Sequence, residues 1–397
     1  MWRTVKLGDV CKIVNGSTPS RKEDSFWEDG DISWFTIDDM REQGRDIFTT
    51  AQHVTQRAVE EKKVKLVPEN SVLLCCTASI GEAAIARKAM ATNQQFNSLT
   101  PLKNDLSCEY LYYVATTLKD KLLRVSGSTT ISFVSMGKLK EVEIQVPPLA
   151  EQQRIVSKLD AAFAEIDKAI ELAEVKNAEL EKLKANVLKN LLSGGDWQTV
   201  KLKDICSVFA DGDWIETKHQ SLGGIRLIQT GNVKIGNFAD RKDKARYISE
   251  ETFNQLNCTA VREGDLLVSR LPEPVGRACM IPKLKAKAVT AVDCTIIRTK
   301  EFVLPTFLNY YMQSPRYFSA VQEKVTGATR QRISRKNLGE IDIQVPTLAE
   351  QQRIVAKLDA AYAEIDIAKK SVITVKTNYA ALKSAILVQE LKPSEAA

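Results

Sequence analysis

The sequence predicts a chain of the α/β (α+β) class, with two mixed α/β units separated by two long antiparallel helices and related by an internal pseudo-twofold repeat. Three observations carry this. Two stretches recur almost verbatim half a chain apart. Each recurrence leads into a long run of helical periodicity. Each is preceded by short strand-like segments closed by turn residues.

The repeat comes first because it sets the organisation. Ile144-Gln145-Val146-Pro147-Pro148-Leu149-Ala150-Glu151-Gln152-Gln153-Arg154-Ile155-Val156 returns as Ile343-Gln344-Val345-Pro346-Thr347-Leu348-Ala349-Glu350-Gln351-Gln352-Arg353-Ile354-Val355. A second anchor, Trp2-Arg3-Thr4-Val5-Lys6-Leu7, returns as Trp197-Gln198-Thr199-Val200-Lys201-Leu202. Between the anchors the halves diverge almost completely. A fixed frame around an exchanged middle suits a binder whose two heads meet different ligands. The division that follows is 1–149 for the first head, 150–195 for a central helix, 196–348 for the second head, 349–392 for a C-terminal helix and 393–397 for a tail.

The helices follow from spacing. After Pro147, apolar residues fall at Leu159, Phe163, Ile166, Ile170, Ala173, Leu180, Val187 and Leu191, a heptad-like seam that also carries Asn177 as a candidate buried amide. Gly194-Gly195 stops the run. The second helix keeps Leu358, Tyr362, Ile365, Val372, Tyr379 and Ile386, but Lys369 makes its far half a poorer seam. At about 1.5 Å per residue each helix would span roughly 60 Å, which suits a paired spacer.

In the middles, strands are expected at Ser33–Ile37, Ser71–Cys76, Ile225–Gln229, Asp265–Ser269 and Thr295–Arg298. Single helices are expected near Glu109–Val125 and Pro305–Val325. Each middle then closes through a Gly-led polar stretch, 127–132 and 327–334, before a last strand.

Composition narrows the function classes. Apolar content of 44% and charged content of 27% are those of a soluble globular chain. No apolar run approaches the roughly 20 residues that cross a bilayer, and no signal-peptide pattern opens the sequence. A cytoplasmic location without membrane partners is the expectation. Eight scattered cysteines without a C-x-x-C pair, and only two histidines, point to reduced core thiols and to no metal site.

Catalytic motifs are missing. The nearest approach to a P-loop, Gly137-Lys138, is followed by Leu139, and the single Pro-Pro, Pro147-Pro148, lacks the Asn/Asp and aromatic flanks of an amino-methyltransferase loop. The chain is therefore read as non-catalytic. The net charge of +6 is unevenly placed: residues 1–149 balance 19 Lys/Arg against 19 Asp/Glu, while residues 194–348 hold 23 against 17. Clusters at Arg330, Arg332, Arg335, Lys336 and at Arg241, Lys242, Lys244, Arg246 give the second head a candidate phosphate-binding surface. In the first head, Glu28, Asp29, Asp31, Asp38 and Asp39 would repel phosphate unless turned away.

The twice-repeated Val-Pro-x-Leu-Ala-Glu-Gln-Gln-Arg-Ile-Val, with Gly16-Ser17-Thr18-Pro19, Asn93-Gln94-Gln95 and the Gly-Ser/Ala-Thr stretches, resembles the specificity subunits of type I restriction-modification systems. The resemblance covers almost the whole chain. It implies that each middle is a target recognition domain reading one half of a bipartite site in double-stranded DNA. It further implies that the helices set the spacing and dock two methyltransferase subunits, and that restriction/translocase subunits join the complex. S-adenosylmethionine, ATP and Mg²⁺ would belong to those partners and no cofactor to this chain. Loop residues at strand ends are the candidates for base contact: Ser17, Thr18, Arg21, Asn93, Gln94, Ser128 and Thr129 in the first head, and Lys218, Gln229, Arg270, Arg330, Gln331 and Arg332 in the second. Two alternatives stay open: a related system whose partner fuses nuclease and methyltransferase, and a tandem protein-binding scaffold.

Overall fold

The computed structural model describes residues 1–125, 133–327 and 331–393. The chain divides into two compact units, Met1–Ala173 with Thr374–Ala397, and Glu174–Ile373. Two 43-residue helices, Leu149–Leu191 and Leu348–Glu390, run across that division, so each unit holds half of each.

In the first unit, strand Arg3–Lys6 pairs antiparallel with Glu143–Val146, bringing the start of the head to the foot of the first long helix. A five-stranded sheet has the order Cys11–Asn15, Phe96–Pro101, Ser71–Cys75, Ala83–Ala86, Asp46–Ile47. A three-stranded sheet, His53–Val54, Ile32–Phe35, Ala91–Thr92, carries a parallel pair at its edge. The core gathers Leu7, Val72, Leu74, Leu99, Tyr110, Leu111, Ile144, Ile155 and Leu159, and Ile386, Leu387 and Leu391 of the second long helix close it.

The second unit repeats this plan. Gln198–Lys201 pairs with Asp342–Val345. One four-stranded sheet has the order Cys206–Asp211, Cys294–Thr299, Leu266–Ser269, Ala278–Met280, and another Gln220–Ser221, Arg246–Ile248, Ile225–Ile228, Ala288–Thr290. Leu202, Leu266, Val268, Ile297, Phe307, Tyr311, Ile343, Ile354 and Leu358 form its core with Leu188 of the first long helix and Leu192 just after it.

The repeated Gln-Gln motif has a structural task. Gln152 is fully buried. Its Oε1 accepts the Ser107 N–H at 2.9 Å, and its Nε2 donates to the carbonyls of Asp105 at 2.7 Å and Pro147 at 2.8 Å. Gln351 does the same with the Leu304 N–H at 2.8 Å and the carbonyls of Phe302 and Pro346, both at 2.9 Å. Buried backbone groups need such partners, and one amide side chain satisfies three at once where the long helix meets its head. Tyr113 donates to Asp160 in the first unit, and Tyr310 donates to Asp359 at 2.5 Å in the second. The flanking Glu151–Arg154 and Glu350–Arg353 pairs are exposed i,i+3 contacts.

Within each unit the helix halves run antiparallel. Lys158 meets Glu390 at 2.7 Å and Lys383 meets Asp167 in the first; Lys184 meets Asp366 at 3.7 Å and Lys369 meets Glu181 in the second. Lys369, out of place in an apolar seam, is thus the partner of an acid. Asn177 is only half-buried and so is not the buried amide expected of it. Each expected head helix is two: Cys108–Thr117 then Lys119–Val125, and Pro305–Tyr311 then Pro315–Gln322. In the second head the break follows from Ser314, which caps a new helix, and Pro315, which opens it.

All eight cysteines are buried and free. Burial pushes the thiols of Cys11, Cys206 and Cys279 up to about 12, which leaves them protonated and inert. Among the described residues there is no metal-binding cluster of His, Cys, Asp and Glu, and no helix long and apolar enough to cross a membrane.

Candidate nucleic-acid interface

In the first head the chain leaves strand Cys11–Asn15 through Gly16, whose N–H donates to Phe96 O at 3.0 Å, while the Ser17 N–H donates to Thr92 O at 2.9 Å. A Cβ at Gly16 would lie 2.1 Å from Asn93 O, so only glycine lets the loop cross the turn 92–96. This crossing brings five candidates together. The Ser17 hydroxyl donates to Lys63 O at 2.6 Å, and the Thr18 hydroxyl meets Gln94 Oε1. Asn93 is spent on the turn: its Oδ1 accepts the Gln95 N–H at 2.9 Å and its Nδ2 donates to Gln95 Oε1 at 3.1 Å. Arg21 lies 3.6 Å above the Trp27 ring and 4.9 Å from that of Trp34, and donates to Gln52 at 2.6 Å. The indole N–H groups of Trp34 and Trp27 donate to Ser17 O and Ser20 O at 3.1 and 3.0 Å, which pins the loop. Stacking and one hydrogen bond hold the guanidinium at the surface with donors to spare.

The second head builds the same crossing from other residues. Gly212 N–H donates to Cys294 O at 2.8 Å and Asp213 N–H to Thr290 O at 2.9 Å, and a Cβ at Gly212 would lie 2.3 Å from Ala291 O. Gly212, Asp213 and Trp214 therefore stand where Gly16, Ser17 and Thr18 stand, and Ala291, Val292 and Asp293 replace Asn93, Gln94 and Gln95. Trp214 is 68% exposed, with its indole N–H on Glu216 at 3.2 Å. It is the side chain that sequence reasoning missed. The two anchors differ by 195 positions, which aligns Gly16 with Asp211; a β-bulge between Cys206 and Val208 inserts one residue and moves the match to Gly212. Burial raises the Asp213 carboxyl above its usual range, against the Thr259 N–H that it accepts at 3.1 Å.

The other candidates scatter. Lys218 is exposed and paired with Glu216 at 2.9 Å. Gln229 is half-buried at the end of strand Ile225–Ile228, next to the turn, where Ala291 N–H donates to Ile228 O at 3.0 Å. Arg270 is buried and faces the protein: its Nη2 donates to Val292 O at 2.5 Å and lies 3.4 Å from Asp211. Its N–H donates to Asp293 O and its carbonyl accepts from Ile333, as Cys76 does with Gln95 and Val134, so it occupies a core position of the scaffold. Gln331 and Arg332 are exposed; Arg332 pairs with Asp293 at 3.3 Å, and Arg335 with Asp211 at 3.9 Å, which spends part of that cluster's charge. Ser128, Thr129 and Arg330 lie outside the described residues. Of the five acids in the first head, Asp39 is turned inward, accepting the Thr36 and Ala51 N–H groups, both at 2.7 Å.

Two heads with one loop-and-turn design match a twice-occurring family: the type I restriction modification DNA specificity domain matches residues 1–182 and again 194–377. The chain belongs to this family. As a specificity-family chain it is similar to the type I restriction enzyme MjaIX specificity subunit of Methanocaldococcus jannaschii, 34% identical over 48% of this chain and 43% of that protein. It is also similar to the EcoKI specificity subunit of Escherichia coli strain K12, 22% identical over 98% of this chain and 88% of that one. The chain spans only 43%, 58% and 47% of the MjaIX, EcoprrI and EcoR124I/EcoR124II subunits in their matches. A solved chain from work on assembly and conformational transition of the type I R-M system shares the fold with a TM-score of 0.80 at 20% identity, over 98% of this chain and 97% of that one. The HsdS subunit from Thermoanaerobacter tengcongensis gives 0.59 at 19%, over 98% and 96%.

Proposed function

We propose that this chain is the non-catalytic, DNA-reading specificity subunit of a type I restriction-modification complex, with each head reading one half of an asymmetric bipartite site. The observation that carries this is the shared Gly-crossed platform with different side chains at matching positions: Thr18 and Gln94 in one head, Trp214 and Val292 in the other. A common backbone places side chains at one spot, and different side chains there read different bases. Ser17, Thr18, Arg21 and Gln94 are the readers in the first head. Trp214, Lys218, Gln229, Gln331 and Arg332 serve the second, to which Arg330 is added, as Ser128 and Thr129 are to the first. Asn93 and Arg270 act by holding the platform.

Two methyltransferase subunits dock on the long helices and restriction/translocase subunits join through them. S-adenosylmethionine, ATP and Mg²⁺ are used by those partners in a cytoplasmic, nucleoid-associated complex. The helices set the distance between half-sites. The test is to co-express the chain with its genomic neighbours and sequence the host DNA for modified bases. Adenine methylation at a split motif is the expected outcome; an unmodified genome beside an active methyltransferase would overturn the reading.

A further inference from the structure

The basic segment 241–246 of the second head is not used by the reading loops, yet it forms one wall of a groove of about 300 Å³ with Arg241, Lys244 and Arg246. The floor is the turn Gln229-Thr230-Gly231-Asn232. Wall and floor are tied together: buried Asn232 accepts the Gln229 N–H at 3.0 Å and donates to Ala239 O at 2.8 Å. A Cβ at Gly231 would lie 2.4 Å from Arg241 Nη1, so the absence of a side chain lets the guanidinium lie against the backbone. Among the described residues no carboxylate pairs with Arg241, Lys244 or Arg246, and the nearby Asp240 is engaged by Arg226 at 3.4 Å. The same turn in the first head reads Thr36-Ile37-Asp38-Asp39 and places exposed Asp38 where Gly231 stands.

We propose that this groove grips a backbone phosphate of duplex DNA beside the half-site read by the second head, with Arg241, Lys244 and Arg246 as its cationic wall. The proposal rests on the DNA-reading function above. Gln229 links groove to platform, so phosphate and bases are held by one rigid turn. Phosphate contacts fix register and carry no sequence information, and each releases counterions on binding.

The test compares wild type with the triple variant Arg241→Gln, Lys244→Gln, Arg246→Gln, as full chain co-purified with its neighbours, in duplex-binding titrations between about 50 and 200 mM salt. The slope of log affinity against log salt is expected to become shallower by about 1, as for one lost phosphate contact, with preference for the methylated motif over a scrambled duplex unchanged within about twofold. An unchanged slope overturns the proposal and leaves the DNA-reading function standing. A lost preference at unchanged slope assigns these residues to base reading and also overturns it. Wild-type protein that binds no duplex removes both. A competition arm with inorganic pyrophosphate separates the sources of phosphate: pyrophosphate that displaces duplex from wild type but not from the variant at micromolar concentration points to a free nucleotide and overturns the duplex assignment.

Discussion

The two heads share a backbone and differ in what it displays. In the first, a polar pair, Thr18 and Gln94, meets in a loop that also carries an arginine stacked on two indoles; in the second, an exposed indole, Trp214, takes the place of Thr18, and Arg270 and Arg332 are held by Asp211 and Asp293. The constant part is made of main-chain hydrogen bonds and one glycine per head. Because the crossing itself rests on main-chain hydrogen bonds, the side chains at Thr18, Gln94, Trp214 and Val292 can differ between the heads while the backbone stays the same. Two substitutions would break this independence most severely. Gly16→Val and Gly212→Val each drive a branched side chain into a carbonyl within 2.1 to 2.3 Å of Cβ. Each is expected to destabilise its own head by at least about 3 kcal/mol, with loss of recognition at one half-site only. Methylome sequencing of the two variants reads this directly, and loss of both half-sites from one substitution would show that the heads are not separate readers.

The next largest effect falls on what the heads have in common. Gln152→Ala and Gln351→Ala each take the side-chain partner from three backbone groups, one of them in a fully buried bond. Each is expected to cost about 2 to 3 kcal/mol, visible as a lower denaturation midpoint of equal size in the two variants. A large difference between them would mean that the two joints of head and helix are not equivalent.

These comparisons mark how far the sequence could be read. The duplication, the two long helices and the central core strands of each head were legible, because burial imposes period on Leu159, Ile166, Leu358 and Ile365 whatever the ligand. Five first-head candidates were placed together because Gly16 and the turn at Asn93 leave a local signature. Trp214 was hidden by one bulged residue that shifts the register between the halves. The burial of Arg270 was not legible, because charge alone cannot tell a core arginine from a surface one; the matching hydrogen bonds of Cys76 reveal its position. The Gln-Gln motif was legible as a repeat but not as a clamp, since its partners lie about 45 residues away.

Smaller effects test the displayed side chains. Trp214→Ala leaves the Gly212 crossing intact and is expected to weaken the cognate duplex by about 1 to 2 kcal/mol, with the penalty confined to substitutions in the second half-site. Thr18→Ala removes one hydroxyl contact with Gln94 and is expected to relax the first half-site by about 1 kcal/mol. Competition binding against duplexes altered in one half at a time separates the two; equal penalties in both halves would dissolve the contrast between the heads.

The subtlest distinction is in acid response, where one carboxylate in each head shifts in opposite directions. Burial disfavours ionisation of Asp46, but hydrogen bonds from Arg45 at 2.9 Å and Arg87 at 2.6 Å outweigh it and lower its pKa. Burial wins at Asp213 and raises it. For Asp46 the linked stability is present above the unfolded value of about 3.9 and is lost as pH falls through the lower folded value. For Asp213 it is fully present below about 3.9 and is lost as pH rises through the higher folded value. Asparagine stands in for the neutral acid at both positions. Near neutral pH, Asp46→Asn should therefore melt below wild type and Asp213→Asn above it; the Asp213 gap should close as pH falls below about 3.9, and the Asp46 gap only at lower pH, below its lowered folded value. Calorimetric scans of the two variants over that range carry the test: gaps of the same sign would mean that the Asp213 carboxylate is better solvated than its place in the Gly212 crossing implies.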